Sequence, residues 1–398
     1  MSTRPPLLDP AYVVILAGVS AALHVGKLPP ALPVLQRELG MTLVQAGFLL
    51  SLIQVAGMSL GLGVGMGASR LGLKRSMLTG LLALSAAGML GGFSTSVGML
   101  LALRPVEGFG LLLVITAAPG LIRQTVAPER LNHAIGFWGA FMPFGTALAL
   151  LAGPLVIQAA GWRPWWWLVG LVTCLFAVWL WRGLPADPRR APATPVGPAW
   201  WQPLRQTLSN GSIWLAAVSF GLYSAQWLSV IGFLPSIYAA AGIGPSHAGY
   251  LSALAAAANI VGNVLAGRLL QRGYAHALLL GCGFVAMGIG AALAFSGVLP
   301  PAGAYVAVLV FSALGGLIPS SLFNLGVRSA SGPAAITTSI GWIQQWSAAG
   351  QFIGPPLVAW VATRAGGWQA TGWVTGTLAL SGLAIAVLMS RLHPQSNR

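Results

Sequence analysis

Residues 11–33 read Ala11-Tyr-Val-Val-Ile-Leu-Ala-Gly-Val-Ser-Ala-Ala-Leu-His24-Val-Gly-Lys27-Leu-Pro-Pro-Ala-Leu-Pro33. The run is long enough to cross the apolar core of a bilayer, which takes about 20 mostly apolar residues. It is too long for the apolar centre of a secretory leader and has no clear cleavage site, so it reads as a first membrane span. Eleven more runs of the same kind follow, roughly 42–66, 73–93, 98–119, 134–157, 165–182, 212–239, 247–267, 275–296, 303–325, 336–361 and 370–390. They are too long and unbroken for barrel strands. Backbone groups in lipid must be satisfied within the segment, which leaves helices. The expected fold class is an all-α integral membrane protein of twelve transmembrane helices.

Composition agrees. Of 398 residues, 56% are hydrophobic and 6% charged, against about 25% charged in a soluble domain. A soluble enzyme and a disordered chain are both excluded. Cys174 and Cys282 lie in apolar runs and imply no disulfide scaffold. Neither Cys nor His shows metal-ligand spacing, and no cofactor is expected. The Gly61–Gly67 run lacks a following Gly-Lys-Ser/Thr, so no nucleotide site is expected either.

The net charge of +15 is spread between the apolar runs rather than gathered in one patch. It reads as membrane topology, not as a nucleic-acid surface. Fifteen basic residues, among them Arg4, Arg70, Lys74, Arg189 and Arg398, fall in the tails and even-numbered loops. Only Arg37, Arg163 and Arg364 fall in the odd-numbered ones. Both termini are therefore expected in the cytoplasm. Low Lys with high Ala, Gly, Arg and Pro suggests a bacterium with GC-rich DNA, hence an inner (plasma) membrane. Trp162, Trp165–Trp167, Trp200 and Trp201 are expected at membrane interfaces.

The longest loop, about 183–211, is Pro-rich and basic and reads as a semi-rigid linker. It divides the chain into six-span halves, 1–182 and 212–398. A shift of 202 positions lays Leu32-Pro33 on Leu234-Pro235, Ala46-Gly47 on Ala248-Gly249, Gly65 on Gly267 and Arg70 on Arg272. Further on, Gly153-Pro154 meets Gly354-Pro355. This is an internal duplication. Two parallel six-helix halves with a site between them are the plan of an alternating-access transporter.

The residues between spans two and three resemble the signature of the major facilitator superfamily, Gly-x-x-x-Asp-Arg-x-Gly-Arg-Lys/Arg. Gly65, Arg70, Gly72 and Lys74 match; Ser69 stands at the Asp position and Leu73 at the first basic position. In the family that Asp helps latch the halves, so its absence puts the latch in doubt or moves it. The second half carries a weaker copy, with Gly267 and Arg272 matching and Gln271 at the acidic position. Span four holds Arg104-Pro-Val-Glu107-Gly108-Phe-Gly110, which resembles the family's Arg-x-x-x-Gly-x-Gly motif, whose Arg is associated with proton coupling. Gly153-Pro154, with Ala149 where Gly is usual, is a fragment of the drug-antiporter motif. The stretch Pro119–Arg123 to Gly136–Trp138 and the Trp-rich span six are similar to cyanate-transporter-like members. The resemblance implies a carrier for a small molecule, able to work as a monomer.

Ionisable groups inside spans are costly and point to function. Four stand out. His24 and Lys27 share one face of span one, and Arg104 and Glu107 one face of span four. At about 1.5 Å per residue all four come to a similar depth in the outer half of the membrane. In the resembling family, spans one and four both face the central cavity. The sharp reading is an anion site, with Lys27 and Arg104 as ligands, Glu107 as proton carrier and His24 as a second titrating group. Against it stand plainer readings: Arg104–Glu107 as a permanent structural pair, Lys27 snorkelling to the surface past Pro29 and Pro30, and His24 as a packing residue. The second half offers polarity without charge. Tyr223, Gln226 and Asn324 are taken as substrate ligands, Gln226 foremost, although interhelical hydrogen bonding explains any one of them as well.

The function expected is secondary transport of a small anion, as proton-coupled uptake. The alternative is a proton-driven exporter of hydrophobic or drug-like compounds. A membrane-bound sensor ranks below both, as no soluble signalling domain is evident. A membrane enzyme has too little acid–base chemistry to work with.

Overall fold

A computed structural model describes residues 10–127, 130, 134, 137–187, 201–331 and 333–392, with backbone only for 64–71, 333 and 334. Arg4, Gly136, Arg189, Arg190, Trp200 and Arg398 lie outside the described residues, as do the side chains of Gly65, Ser69 and Arg70.

Among the described residues twelve long helical segments follow one another. The first half comprises α1 (Pro10–Leu39), α2 (Leu43–Ser51 and Val55–Leu71), α3 (Leu73–Gly92), α4 (Val97–Thr125), α5 (Phe141–Ala160) and α6 (Trp162–Gly183). The second comprises α7 (Gly211–Ala240), α8 (Pro245–Gln271), α9 (His276–Phe295), α10 (Pro301–Ser329), α11 (Pro333–Ala365) and α12 (Trp368–Leu392). Among the described residues ten are long and apolar enough to span a bilayer by length and composition; α3 and α11 are helices of 20 and 33 residues that stand between them. The chain is a multi-pass membrane protein with two pseudo-symmetric six-helix halves. Successive helices alternate in direction, so Pro10 and Leu392 lie on one side, called here the terminus side.

Local chemistry sets the ends and the breaks. Thr42 and Gln45 form a capping box that starts α2, Ser96 caps α4, and Asn210 caps α7 through its side-chain oxygen. These caps satisfy N–H groups that a helix cannot bond itself. Pro29 and Pro30 turn α1 through a 3-10 segment, Pro29–Ala31, after which it resumes and runs to Leu39. The span expected to end at Pro33 is therefore longer. Pro105, Pro119, Pro154, Pro235, Pro355 and Pro356 stand inside α4, α5, α7 and α11. The expected linker is not all irregular, since Gln202–Leu208 is helical and Thr207 bonds Ser339 of α11 at 3.2 Å.

One apolar core is centred in the first half, around Met77, Val114 and Leu180, and takes in Leu228 of α7. Another lies within the second, around Phe284, Phe311 and Ile343. A third, at the far side from the termini, joins Leu49, Leu50 and Trp165 of one half to Phe233, Val358 and Ala359 of the other. Two seams extend that contact, and they repeat the same chemistry. In α2 a methyl on Gly47 would overlap the Pro355–Pro356 backbone of α11; in α8 a methyl on Gly249 would overlap Leu150 and Pro154 of α5. Only glycine lets the helices cross that closely. Gln54 donates to Gln351 at 2.8 Å along the first seam, and Gln158 to Ser246 at 2.9 Å along the second.

Candidate functional site

The four ionisable residues of α1 and α4 meet in the middle of the first half. α4 reaches them because two glycines thin its surface. A side chain at Gly108 would strike the Ile53 carbonyl of α2, and one at Gly110 the Gly80 carbonyl of α3. Arg104 then bridges three elements. Its Nε donates to Leu49 O of α2 at 2.9 Å, and its Nη1 to His24 O of α1 at 3.0 Å and to Glu107 Oε2 at 2.5 Å. Its Nη2 is buried and has no hydrogen-bond partner among the described residues.

Glu107 is the hub. Lys27 Nζ donates to its Oε1 at 2.5 Å, and His24 Nδ1 lies 3.1 Å from the same oxygen. The other imidazole nitrogen, Nε2, is 3.0 Å from Thr173 Oγ1 of α6. If Nδ1 carries the proton it donates to the carboxylate and Nε2 accepts from threonine. His24, Lys27, Arg104 and Glu107 are all buried, at 0, 0, 4 and 2% exposure. Lys27 therefore does not snorkel: its ammonium turns inward to the carboxylate and stands 5.1 Å from the Trp166 ring centre. Trp165 Nε1 bonds the Lys27 carbonyl at 2.9 Å. Trp162, Trp165 and Trp166 are buried within the protein, where they wall this cluster and the far-side core; of that group Trp167 is the exposed one. Gly88 of α3 leaves the space that the imidazole and ammonium fill.

The electrostatics are unbalanced. Two groups that normally carry positive charge surround one carboxylate, away from water. Such groups are expensive in a membrane unless paired. With neutral His24 the cluster holds one positive charge in excess.

The other expected ligands are elsewhere, and the structure does not bring all five together. Tyr223 O–H accepts from Asn259 Nδ2 at 2.9 Å inside the second half. Gln226, the counterpart of His24 under the 202-residue shift, is fully buried; its Nε2 bonds Leu222 O of its own helix at 3.0 Å and its Oε1 has no partner among the described residues. Asn324 lies near the terminus side, 2.9 Å from His276 Nε2.

The loop motif is partly described. Gly72 links α2 and α3 with φ +93°, a conformation that favours glycine. Lys74 donates from Nζ to Trp181 O and Leu184 O at the end of α6. Asp187, which sequence reading passed over, accepts from the backbone N–H of Lys74 at 2.9 Å and of Arg75 at 3.0 Å. The end of α6 and the start of α3 thus cap each other, a cation on carbonyls and a carboxylate on N–H groups. The hint lay in an acidic residue just past a span end. In the second copy, Arg272 is exposed at the end of α8 and Gly267 has open space around it.

The Major Facilitator Superfamily model matches residues 13–355. A probable small intestine urate exporter of Mus musculus is 27% identical over 52% of this chain and 45% of its own. The chain thus spans about half the length of that relative. The cyanate transport protein CynX of Escherichia coli is 24% identical over 64% of each chain. A chloramphenicol resistance protein of Streptomyces lividans is 29% identical over 98% of this chain and 95% of its own. A bacterial homologue of the human lysosomal transporter Spinster, solved in an inward-facing conformation, superposes with a TM-score of 0.79 over 100% of this chain and 99% of that one, at 16% identity.

Proposed function

This chain belongs to the major facilitator superfamily, and we propose that it carries a small anion by alternating access, as proton-coupled uptake. It is a transporter and not an enzyme; the substrate, the coupling and the direction are our reading. The observation that carries it is that Lys27 and Arg104 share one buried carboxylate, while Arg104 Nη2 has no hydrogen-bond partner among the described residues. An anion on that nitrogen would complete the site.

The coupling follows from charge. Protonation of Glu107 releases both cations for a monoanion. Protonated Glu107 plus one bound anion has the same total charge as ionised Glu107 alone. The loaded carrier therefore moves with no added buried charge, one proton per monoanion. After Asp187 the sequence has no Asp or Glu; on the described helices of the first half Glu38 is half exposed at the end of α1, and Glu107 is the acidic residue that is buried. His24 holds the Glu107 carboxylate in place and is the second titrating group beside it. Halves 1–182 and 212–398 rock about the two glycine–proline seams, with linker 183–211 and both termini in the cytoplasm of a bacterial inner membrane. The unit that works is a monomer.

Cyanate and urate in the names of two relatives are in keeping with an anionic substrate. A second reading, drug export, is favoured by the chloramphenicol resistance relative and by the two backbone carbonyls that hold Arg104 in place. One experiment separates them. Purified protein is placed in liposomes loaded with a pH-sensitive dye, and small anions and lipophilic cations are added in turn. Proton movement driven by an anion and lost in Arg104→Ala is the expected result. A response to lipophilic cations alone would overturn the anion reading.

A further inference from the structure

α8 and α10 touch backbone to backbone in mid-membrane, where a side chain on Gly262 would meet the Ala313 carbonyl and one on Gly316 the Asn259 carbonyl. Toward the terminus side they diverge, and nothing lies within 4 Å of where a Gly267 side chain would begin. The gap is a cavity of about 220 Å³ lined by Gly267, Leu270 and Gln271 of α8 and by Ser320, Asn324 and Arg328 of α10. It is too small for a drug-sized molecule.

The lining is rich in donors and has no acid. Arg328 has no hydrogen-bond or ion-pair partner among the described residues, and neither does the Gln271 side chain. No acidic residue follows Asp187 in the sequence, so the second half cannot neutralise Arg328 from its own residues. Asn324 is oriented: its Oδ1 lies 2.9 Å from His276 Nε2 at the start of α9, so the ring nitrogen donates and the Asn324 amino group is left free for the cavity. Ser320 closes the upper end by donating to Asn263 Oδ1 at 2.9 Å. From there the bonds continue inward, from Asn263 Nδ2 to Asn259 Oδ1 and from Asn259 Nδ2 to Tyr223 Oη, each 2.9 Å.

We propose that this cavity is a second anion site, where the Arg328 guanidinium and the Asn324 and Gln271 amides hold a small oxyanion at the terminus-side mouth of the second half. A guanidinium with adjacent amide donors is the chemistry that recognises carboxylate and phosphate. The hydrogen-bonded line to Tyr223 leads from it into the protein. The occupant is a free oxyanion or the phosphate of a lipid headgroup. The site extends the anion reading but does not use Lys27, Arg104 or Glu107.

The test labels arginines of the full-length protein in phosphatidylcholine nanodiscs with phenylglyoxal and reads each site by peptide mass spectrometry. Arg391, exposed at the end of α12, is the reference. Inorganic phosphate should slow labelling of Arg328 but not of Arg391, by about tenfold at ten times the half-protecting concentration. Slow labelling that needs no phosphate but requires phosphatidylglycerol in the nanodisc would assign the site to a lipid phosphate. In either case Asn324→Leu and Gln271→Leu, at exposed positions, should weaken the protection. Labelling of Arg328 at the rate of Arg391 under every condition, or protection untouched by both substitutions, would overturn the proposal. The readout needs no turnover and should be the same in Arg104→Ala, so failure of the transport reading and failure of this site are separate results.

Discussion

Glu107→Gln and Lys27→Met should have opposite characters, although the two residues bond each other. Glu107 contacts Lys27 and Arg104 at 2.5 Å each, with all three side chains within 4% of full burial. Removing the carboxylate charge raises the buried excess from one positive charge to two and leaves both cations without a counter-ion. Stranding one partner of a buried pair costs about 3–5 kcal/mol. Removing the ammonium instead takes the excess to zero and leaves Arg104 and Glu107 as a neutral pair. Methionine has a similar length and fills the space, so the change is expected within about 1 kcal/mol of zero. Thermal denaturation in detergent, followed by tryptophan emission, measures both. With about 1–2 °C per kcal/mol for a chain of this size, Glu107→Gln should melt on the order of 5 °C lower and Lys27→Met close to the parent. The double variant, which leaves Arg104 alone without a counter-ion, should regain part of the loss. If Lys27→Met falls as far as Glu107→Gln, the excess charge is not real, and the argument for a missing anion fails with it.

Three further outcomes are expected. In the liposome assay Glu107→Gln should abolish anion-driven proton movement while leaving exchange of labelled anion across the membrane. Gly88→Val, which drives a side chain into the His24 ring (its Cε1 lies 2.7 Å from a Cβ built there), should cost about 1–3 kcal/mol by overpacking, read in the same melting experiment. Asp187→Ala removes the acceptor for two N–H groups at the start of α3 and should cost about 0.5–2 kcal/mol, with Asp187→Asn retaining part of the cap and of the melting temperature.

The charged cluster was half legible. His24 and Lys27 are three residues apart in an apolar run, and so are Arg104 and Glu107, so helical periodicity alone put each pair on one face at one depth. What surrounds them was not legible. Thr173, Trp165 and Trp166 come from α6 and Gly88 from α3, some 60 to 150 positions away from His24, and no spacing rule connects them. Whether Lys27 reached water or turned inward depended on those walls. That Trp162, Trp165 and Trp166 turn into the protein was not legible for the same reason: tryptophan next to a span end can face lipid or pack inward, and only packing selects one. The dispersal of Tyr223, Gln226 and Asn324 shows the same limit, since polar residues in separate spans carry no sign of which cavity they share.

Hydropathy by itself determined the membrane class, because a bilayer demands long apolar helices whatever their packing. Self-similarity determined the two halves, and it had already matched Gly47 with Gly249 and Pro154 with Pro355. Only the tertiary structure decided that these matched residues meet as the crossings between the halves. It alone decided that two cations share one carboxylate in the first half while the second half keeps an uncommitted arginine above a small cavity. The reason is physical. Burial in lipid acts on each segment separately and can be read along the chain. Charge pairing and close crossing act between segments, and they depend on helix rotations and distances that no single segment encodes.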